Sequence, residues 1–260
     1  MKRARLDSEL VRRGLASSRS EARRLIERGG VVVGGAPDPQ PATLVAADVA
    51  ITIEEPDRFV SRGGEKLDGA LKQLAVPVDG LRWLDAGAST GGFTDRLLQG
   101  GAAGVVAVDV GYGQLDWRLR NDPRVTVLER TNVRSLTADR LPWAPDATVA
   151  DLSFISLRLV VPVLARLIRP DGRMLLMVKP QFEVGRAHVG KGGVVRDPGL
   201  WTGAVRGVVE TAEAEGWGLV DAAASGLPGP AGNREFFVLL ERGASSDPAS
   251  IVRAVEEAGS

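Results

Sequence analysis

Four ionisable residues stand where a parallel sheet would present them. Asp151 ends the segment Ala147–Asp151, and Lys179 follows the apolar run Met174–Val178. In open α/β sheets the reactive groups gather at the carboxyl ends of strands. A lone lysine there reads as a surface group whose head snorkels into water. Beside a carboxylate on the adjacent strand end, it reads as a buried pair. Glu235 begins the last predicted strand, inside Gly232-Asn233-Arg234-Glu235-Phe236-Phe237, where aromatic neighbours partly dry it. Lys66, in Ser61-Arg62-Gly63-Gly64-Glu65-Lys66-Leu67, precedes the first strand of the sheet. Each residue taken singly fits a structural role. The order Lys66, Asp151, Lys179, Glu235 in these places points to chemistry.

A second constellation binds rather than reacts. Arg82-Trp83-Leu84-Asp85 reads as a strand that runs into Ala86-Gly87-Ala88-Ser89-Thr90-Gly91-Gly92-Phe93, and a helix follows through Leu97 and Leu98. Val105–Asp109 is a buried parallel strand with a terminal acid. Asp109 lies 24 positions after Asp85, near the ~20 expected of an acid that bonds ribose hydroxyls. The loop is Gly-x-x-x-Gly-Gly, not the Gly-x-Gly-x-x-Gly of dinucleotide sites, and an aspartate stands two residues before its first glycine. This form favours S-adenosylmethionine over NAD. The methionine part needs close backbone approach and brings no pyrophosphate for a helix N-terminus to cradle. Asp85, Gly87, Ser89, Gly91, Gly92 and Asp109 are the expected contacts, with Asn132 near the adenine.

The elements that must position these groups alternate along the chain. Strands are expected at Val125–Leu128, Ala147–Asp151, Gly172–Val178, Gly218–Ser225 and Glu235–Leu240. Helices are expected near Leu157–Ile168 and Trp201–Glu215. Gly185–Pro198 is a glycine-rich stretch with Arg186, Lys191 and Arg196. It reads either as a loop that closes over a substrate or as a plain surface loop; His188, within it, is expected to have no catalytic role.

The first 55 residues read differently. Residues 1–35 hold nine Lys/Arg against four Asp/Glu, an excess of +5 that the rest of the neutral chain balances. Such asymmetry suits a segment that meets nucleic acid. Leu6, Leu10 and Val11 have helical spacing. A second helix starts near Ser18, where Ser18 and Glu21 form a capping-box pair, and Gly29-Gly30 end it. Arg19, Arg23, Arg24 and Arg28 fall on its polar surface. Val31–Val33 and Val49–Ile53 read as paired strands around the proline-rich loop Ala36–Pro41, and Glu54–Asp57 as the domain boundary.

Composition removes other chemistries. No cysteine is present, so disulfides, thiolate zinc sites and cysteine nucleophiles are excluded. One histidine, His188, cannot build a multi-histidine metal site. No apolar run approaches the ~18 residues of a membrane span, and the basic start lacks the apolar core of a signal peptide. A cytoplasmic protein without a metal or a membrane is expected.

Two resemblances sharpen the expectation. Arg5-Leu6-Asp7, Gly14–Arg19, Glu21-Ala22-Arg23 and Val31–Gly35 resemble the alpha-L RNA-binding domain of a ribosomal small-subunit protein and of several pseudouridine synthases. The order Lys66, Asp151, Lys179, Glu235 resembles the catalytic tetrad of FtsJ-like ribose 2′-O-methyltransferases. The strings Trp83–Thr94, Asp109–Leu115, Asp151–Leu157 and Val178–Glu183 resemble the TlyA family, rRNA cytidine 2′-O-methyltransferases historically labelled haemolysins, over almost the whole chain. The basic start and the tail after Glu241 resemble its longer subtype, whose members modify both ribosomal subunits.

The resemblance implies an α/β fold: a Rossmann-like seven-stranded methyltransferase sheet over 61–260, a linker at 57–60, and a small α+β RNA-binding domain over 1–56. It implies S-adenosylmethionine as cofactor, and rRNA or ribosomal subunits as partner. Arg5, Arg19, Arg23, Arg24 and Arg62 are the expected RNA contacts. A lysine stripped of water can act as a base or hold a developing alkoxide. Lys179 is expected in that place, with Asp151 and Glu235 orienting it and Lys66 positioning the ribose hydroxyl or a flanking phosphate. Three other readings compete: an RNA-binding protein with a non-catalytic methyltransferase fold, a membrane-active haemolysin, and a pseudouridine synthase. The filled tetrad, the lack of a spanning segment and the glycine loop with Asp109 argue against them in turn.

Overall fold

A computed structural model describes residues 3–27, 29–35, 39–53 and 58–259. The chain divides into two compact units, Met1–Arg58 and Phe59–Ser260. Arg28, residues 36–38 of the proline-rich loop and the expected boundary at 54–57 lie outside the described residues. Phe59 and Val60, placed in the linker by sequence, belong to the second unit. Phe59 is buried there, and the Val60 N–H donates to Asp95 Oδ2 at 2.9 Å.

The first unit contains β1 (Arg3–Arg5), α1 (Leu6–Arg12), α2 (Arg19–Glu27), β2 (Val31–Val33), β3 (Leu44–Ala46) and β4 (Ile51–Ile53). Leu6, Leu10, Ala22, Ile26, Val31 and Val45 form its core. Strands β2 and β4 pair antiparallel, as the sequence leads one to expect, but β4 starts at Ile51 rather than Val49. A second antiparallel pair, β1 with β3, goes unannounced. The capping box is half formed. Ser18 Oγ accepts the Glu21 N–H at 3.2 Å, while Glu21 Oε2 accepts the N–H of Ser17, not of Ser18. Gly29, at φ +75°, ends α2.

The second unit contains α3 (Arg62–Gln73), β5 (Arg82–Ala86), α4 (Gly92–Gln99), β6 (Gly104–Val108), α5 (Trp117–Arg120), β7 (Val125–Leu128), β8 (Ala147–Ala150), α6 (Val161–Leu167), β9 (Arg173–Val178), α7 (Pro180–Glu183), α8 (Pro198–Ala214), β10 (Trp217–Ala224), β11 (Phe236–Arg242) and α9 (Pro248–Gly259). One seven-stranded sheet runs in the order β10-β11-β9-β8-β5-β6-β7. Only β11 is antiparallel to its neighbours, β10 and β9. Alternate side chains leave each strand on opposite faces. Leu84, Val106 and Leu176 enter one apolar layer, and Trp83, Val105 and Leu175 the other. Strand order reverses between β5 and β8, and such a switch point opens a crevice beyond the carboxyl ends.

Candidate active site

The loop after β5 folds back on the end of β6. The N–H groups of Gly87 and Ala88 both donate to Val108 O, at 2.8 and 3.1 Å. Gly87, Ser89 and Gly91 all have positive φ, at +89°, +48° and +99°. A Cβ on Gly87 would collide with Asp151 O and stand 2.9 Å from Leu152 Cδ2. Glycine is thus demanded twice at that position, by conformation and by the close backbone of the β8 end.

Asp109 follows β6 and accepts two backbone bonds, from Ser89 N–H at 2.9 Å and Gly111 N–H at 2.7 Å. These leave further lone pairs on both oxygens. Asp109 lines a cavity of about 670 Å³ with Gly87, Ser89, Asn132, Leu152 and Phe154. Asn132 caps the turn Val133–Ser135 by accepting the Arg134 N–H at 3.0 Å. A glycine cradle, an acid with free lone pairs and a deep cleft fit a nucleoside-bearing cofactor such as S-adenosylmethionine.

Of the expected cofactor contacts, Asp85, Gly91 and Gly92 are not among the residues that line that cavity. Asp85 sits within β5, not at its end, and its side chain is fully buried. Thr94 Oγ1 donates to its Oδ2 at 2.6 Å, while Oδ1 has no partner among the described residues. Burial pushes its carboxyl up to about 7, against the Thr94 bond and with added repulsion from Asp151 and Asp109. Gly91 faces Leu119 and Leu115, where a Cβ would collide.

A second cavity, of about 240 Å³, shares Gly87, Ser89, Asp151 and Ser153 with the first. Lys66, Asp151, Lys179 and Glu235 all line it, together with Arg62 and Gly92. Lys66, buried on α3, pairs with Glu235 Oε2 at 2.5 Å. Lys179, directly after β9, pairs with Asp151 Oδ1 and donates to Ser153 Oγ at 3.3 Å. The four residues therefore form two ion pairs. Glu235 holds Lys66 rather than Lys179, which differs from the expected arrangement around one central lysine.

Two neighbours escaped sequence reasoning. Phe154 has φ +64° and is 93% exposed at the rim of the larger cavity, its ring 5.3 Å from that of Phe182. A bulky residue held at positive φ is a strained position. The Asp-x-x-Phe spacing from Asp151 was its only signal. Asn233 is buried and ties down the glycine-rich stretch. Its Oδ1 accepts the Val195 N–H at 3.0 Å, and its Nδ2 donates to Gly193 O at 2.8 Å. Among the described residues, His188 hydrogen-bonds the Val184 carbonyl.

In the first unit, Arg5, Arg19 and Arg23 converge on the carboxylate of Asp7. Arg24 is exposed. Arg62, in the second unit, donates to Pro228 O at 3.0 Å. No helix among the described residues is long and apolar enough to cross a membrane.

Comparison with known proteins places this geometry. The family model for FtsJ-like methyltransferases matches residues 59–242, and that for the S4 domain matches residues 4–37. The chain is 52% identical over 259 residues to the 16S/23S rRNA (cytidine-2′-O)-methyltransferase TlyA of Mycobacterium tuberculosis, covering 99% of this chain and 96% of that protein. It is 35% identical over 234 residues to Hemolysin A of Brachyspira hyodysenteriae, covering 90% of this chain and 98% of that one. A solved structure described as "Putative hemolysin from Streptococcus thermophilus" superposes with a TM-score of 0.75 at 37% identity, covering 99% of this chain and 96% of that one.

Proposed function

This chain belongs to the FtsJ-like methyltransferase family, and from that premise we propose that it transfers a methyl group from S-adenosylmethionine to the 2′-hydroxyl of a cytidine ribose in 16S or 23S rRNA. The observation that carries this reading is the meeting of both ion pairs in one cavity that shares a wall with the nucleoside cleft. The reading makes the protein a cytoplasmic partner of the ribosome.

The cofactor, when bound, supplies a methyl on a positively charged sulfur with a good leaving group. Gly87 and Ser89 would hold its methionine part, Asp109 its ribose hydroxyls, and Asn132 would stand by the adenine. Lys179 has three N–H donors. Ser153 takes one and Asp151 sits against the ammonium as its counter-ion, which leaves a donor for the ribose 2′-oxygen. That bond holds the oxygen in line and stabilises the negative charge that grows on it. Asp151 Oδ1 is sealed from solvent, so its other oxygen is the acceptor for the departing proton. Lys66 and Glu235 line the same cavity as a buried pair, in which Glu235 holds the Lys66 ammonium in place. Phe154 offers an open aromatic face on which a base drawn out of its stack can lie.

The test is methyl transfer from radiolabelled S-adenosylmethionine to purified small subunits, large subunits and protein-free rRNA. Label at a ribose 2′-oxygen of cytidine is expected, with its distribution between subunits naming the target. Lys179→Ala should lower the rate at least about a hundredfold while leaving cofactor affinity near wild type. Wild-type turnover in that variant would overturn the role given to Lys179.

A further inference from the structure

Arg5, Arg19 and Arg23 come from three places in the first unit: the end of β1, the first residue of α2, and one turn further along α2. They meet at a single carboxylate. Arg5 donates from Nε to Asp7 Oδ1 at 3.2 Å and from Nη2 to Oδ2 at 3.0 Å. Arg19 Nη2 and Arg23 Nε donate to Oδ2 at 3.0 and 3.3 Å. Ser8 Oγ adds a bond to Oδ1 at 3.2 Å. The Asp7 side chain is fully covered, while the three arginine side chains keep 42%, 55% and 52% of their surface. Solvent therefore meets three cations, and the anion that gathers them is hidden beneath. Their hydrogen bonds hold the Asp7 carboxyl well below the usual carboxylate range, Arg5 contributing most.

We propose that Asp7 is the positioning residue of a three-arginine phosphate site, which holds the guanidiniums of Arg5, Arg19 and Arg23 in one array against the backbone of an RNA strand. The proposal rests on the reading of the first unit as an RNA grip. Each guanidinium has five N–H donors in a planar fork suited to phosphate oxygens. Asp7 takes two from Arg5 and one each from Arg19 and Arg23, so most remain for a ligand. Without the carboxylate, three like charges would spread apart and each long side chain would have to be immobilised at the moment of binding.

The consequence runs against charge counting. Asp7→Asn removes a negative charge from a basic surface. If charge alone governed binding, RNA affinity would rise. If the array governs, affinity falls, by about tenfold. The experiment uses the full chain and protein-free rRNA, with affinity measured by filter binding across a salt series and methyl transfer measured in parallel. Asp7→Asn should raise KM for RNA about tenfold and leave kcat at saturating RNA unchanged. The double variant Arg19→Lys with Arg23→Lys keeps the charge and loses the forks. It should weaken binding by a similar factor while the slope of affinity against salt stays that of the wild type. This second variant decides the matter if Asp7→Asn fails to fold. Wild-type or tighter binding by the lysine pair overturns the proposal, as does tighter binding by a folded Asp7→Asn. Replacing all three arginines by alanine separates the two readings. If that variant binds RNA like the wild type, the grip itself is misassigned. If it loses binding while the Asp7 and lysine variants do not, only the role of Asp7 falls.

Discussion

Asp85 carries its proton to a higher pH than an ordinary aspartate, because ionising it would put a charge in the dry interior beside Asp151 and Asp109. The folded protein therefore holds a proton that the unfolded chain has already released. Stability from this group is complete below the unfolded value near 3.9 and is lost as pH rises through about 7. Each pH unit in that interval is worth at most about 1.4 kcal/mol. Asp85→Asn should thus melt progressively higher than the wild type between pH 5 and pH 8.5. A difference in melting temperature that stays the same at both ends would refute the neutral carboxyl. The side-chain types of Lys66, Asp151, Lys179 and Glu235 were legible because strand ends are places where charge is otherwise unwelcome. Which lysine faces which carboxylate was not, since pairing depends on side-chain direction. The direction of the Asp85 side chain was illegible for the same reason. Asp85 stands near a glycine loop in sequence but within β5 in space.

At the scale of elements, the turn between β5 and α4 offers a contrast between two glycines. Gly87→Ala drives a methyl into the Asp151 carbonyl on the wall of both cavities, so cofactor affinity should fall by about tenfold or more by calorimetry. Gly91→Ala drives a methyl into Leu119 and Leu115 instead. It should cost about 1–3 kcal/mol of stability, with the larger effect on melting temperature and the smaller on affinity. Equal losses of affinity in the two variants would contradict this division. The apolar runs of β6, β8 and β9 announce a parallel sheet from composition alone. Helix α3 does not announce itself, because it opens on Arg62-Gly63-Gly64, a sequence that reads as loop. Gly64 is there because Phe59 packs where its Cβ would be. Helix α9 and the three-residue β1 and β3 were also unread. Strands that short gain their order from packing and pairing, not from local pattern.

Across the whole molecule, the largest carboxylate shifts of the two units run in opposite directions. In the first, Arg12 and then Arg13 lower Glu9 to about 2, and Asp7 lies lower still. Both carboxylates contribute stability above the unfolded value near 4 and lose it as pH falls through their folded values. In the second, the buried Asp85 favours acid, and the lowered carboxylates, such as Asp116 and Asp122, sit in surface pairs of small worth. On going from pH 7 to about pH 2, amide exchange protection should drop in α1, α2, β2 and β4 while β5, β6, β8 and β9 stay protected. Simultaneous loss in both units would show that the acidic response is not partitioned in this way. Within the second unit, the two cavities have Gly87, Ser89, Asp151 and Ser153 in common, and this partition bears on retooling the catalyst. A cofactor analogue with an allyl or propargyl group in place of methyl must find its extra volume on the acceptor side of that partition. Trimming a shared residue to admit the bulkier alkyl would loosen the grip on the cofactor by the same stroke. Widening should therefore start from residues that only the smaller cavity uses, such as Thr90 or Pro230, which can yield space without touching the donor's seat.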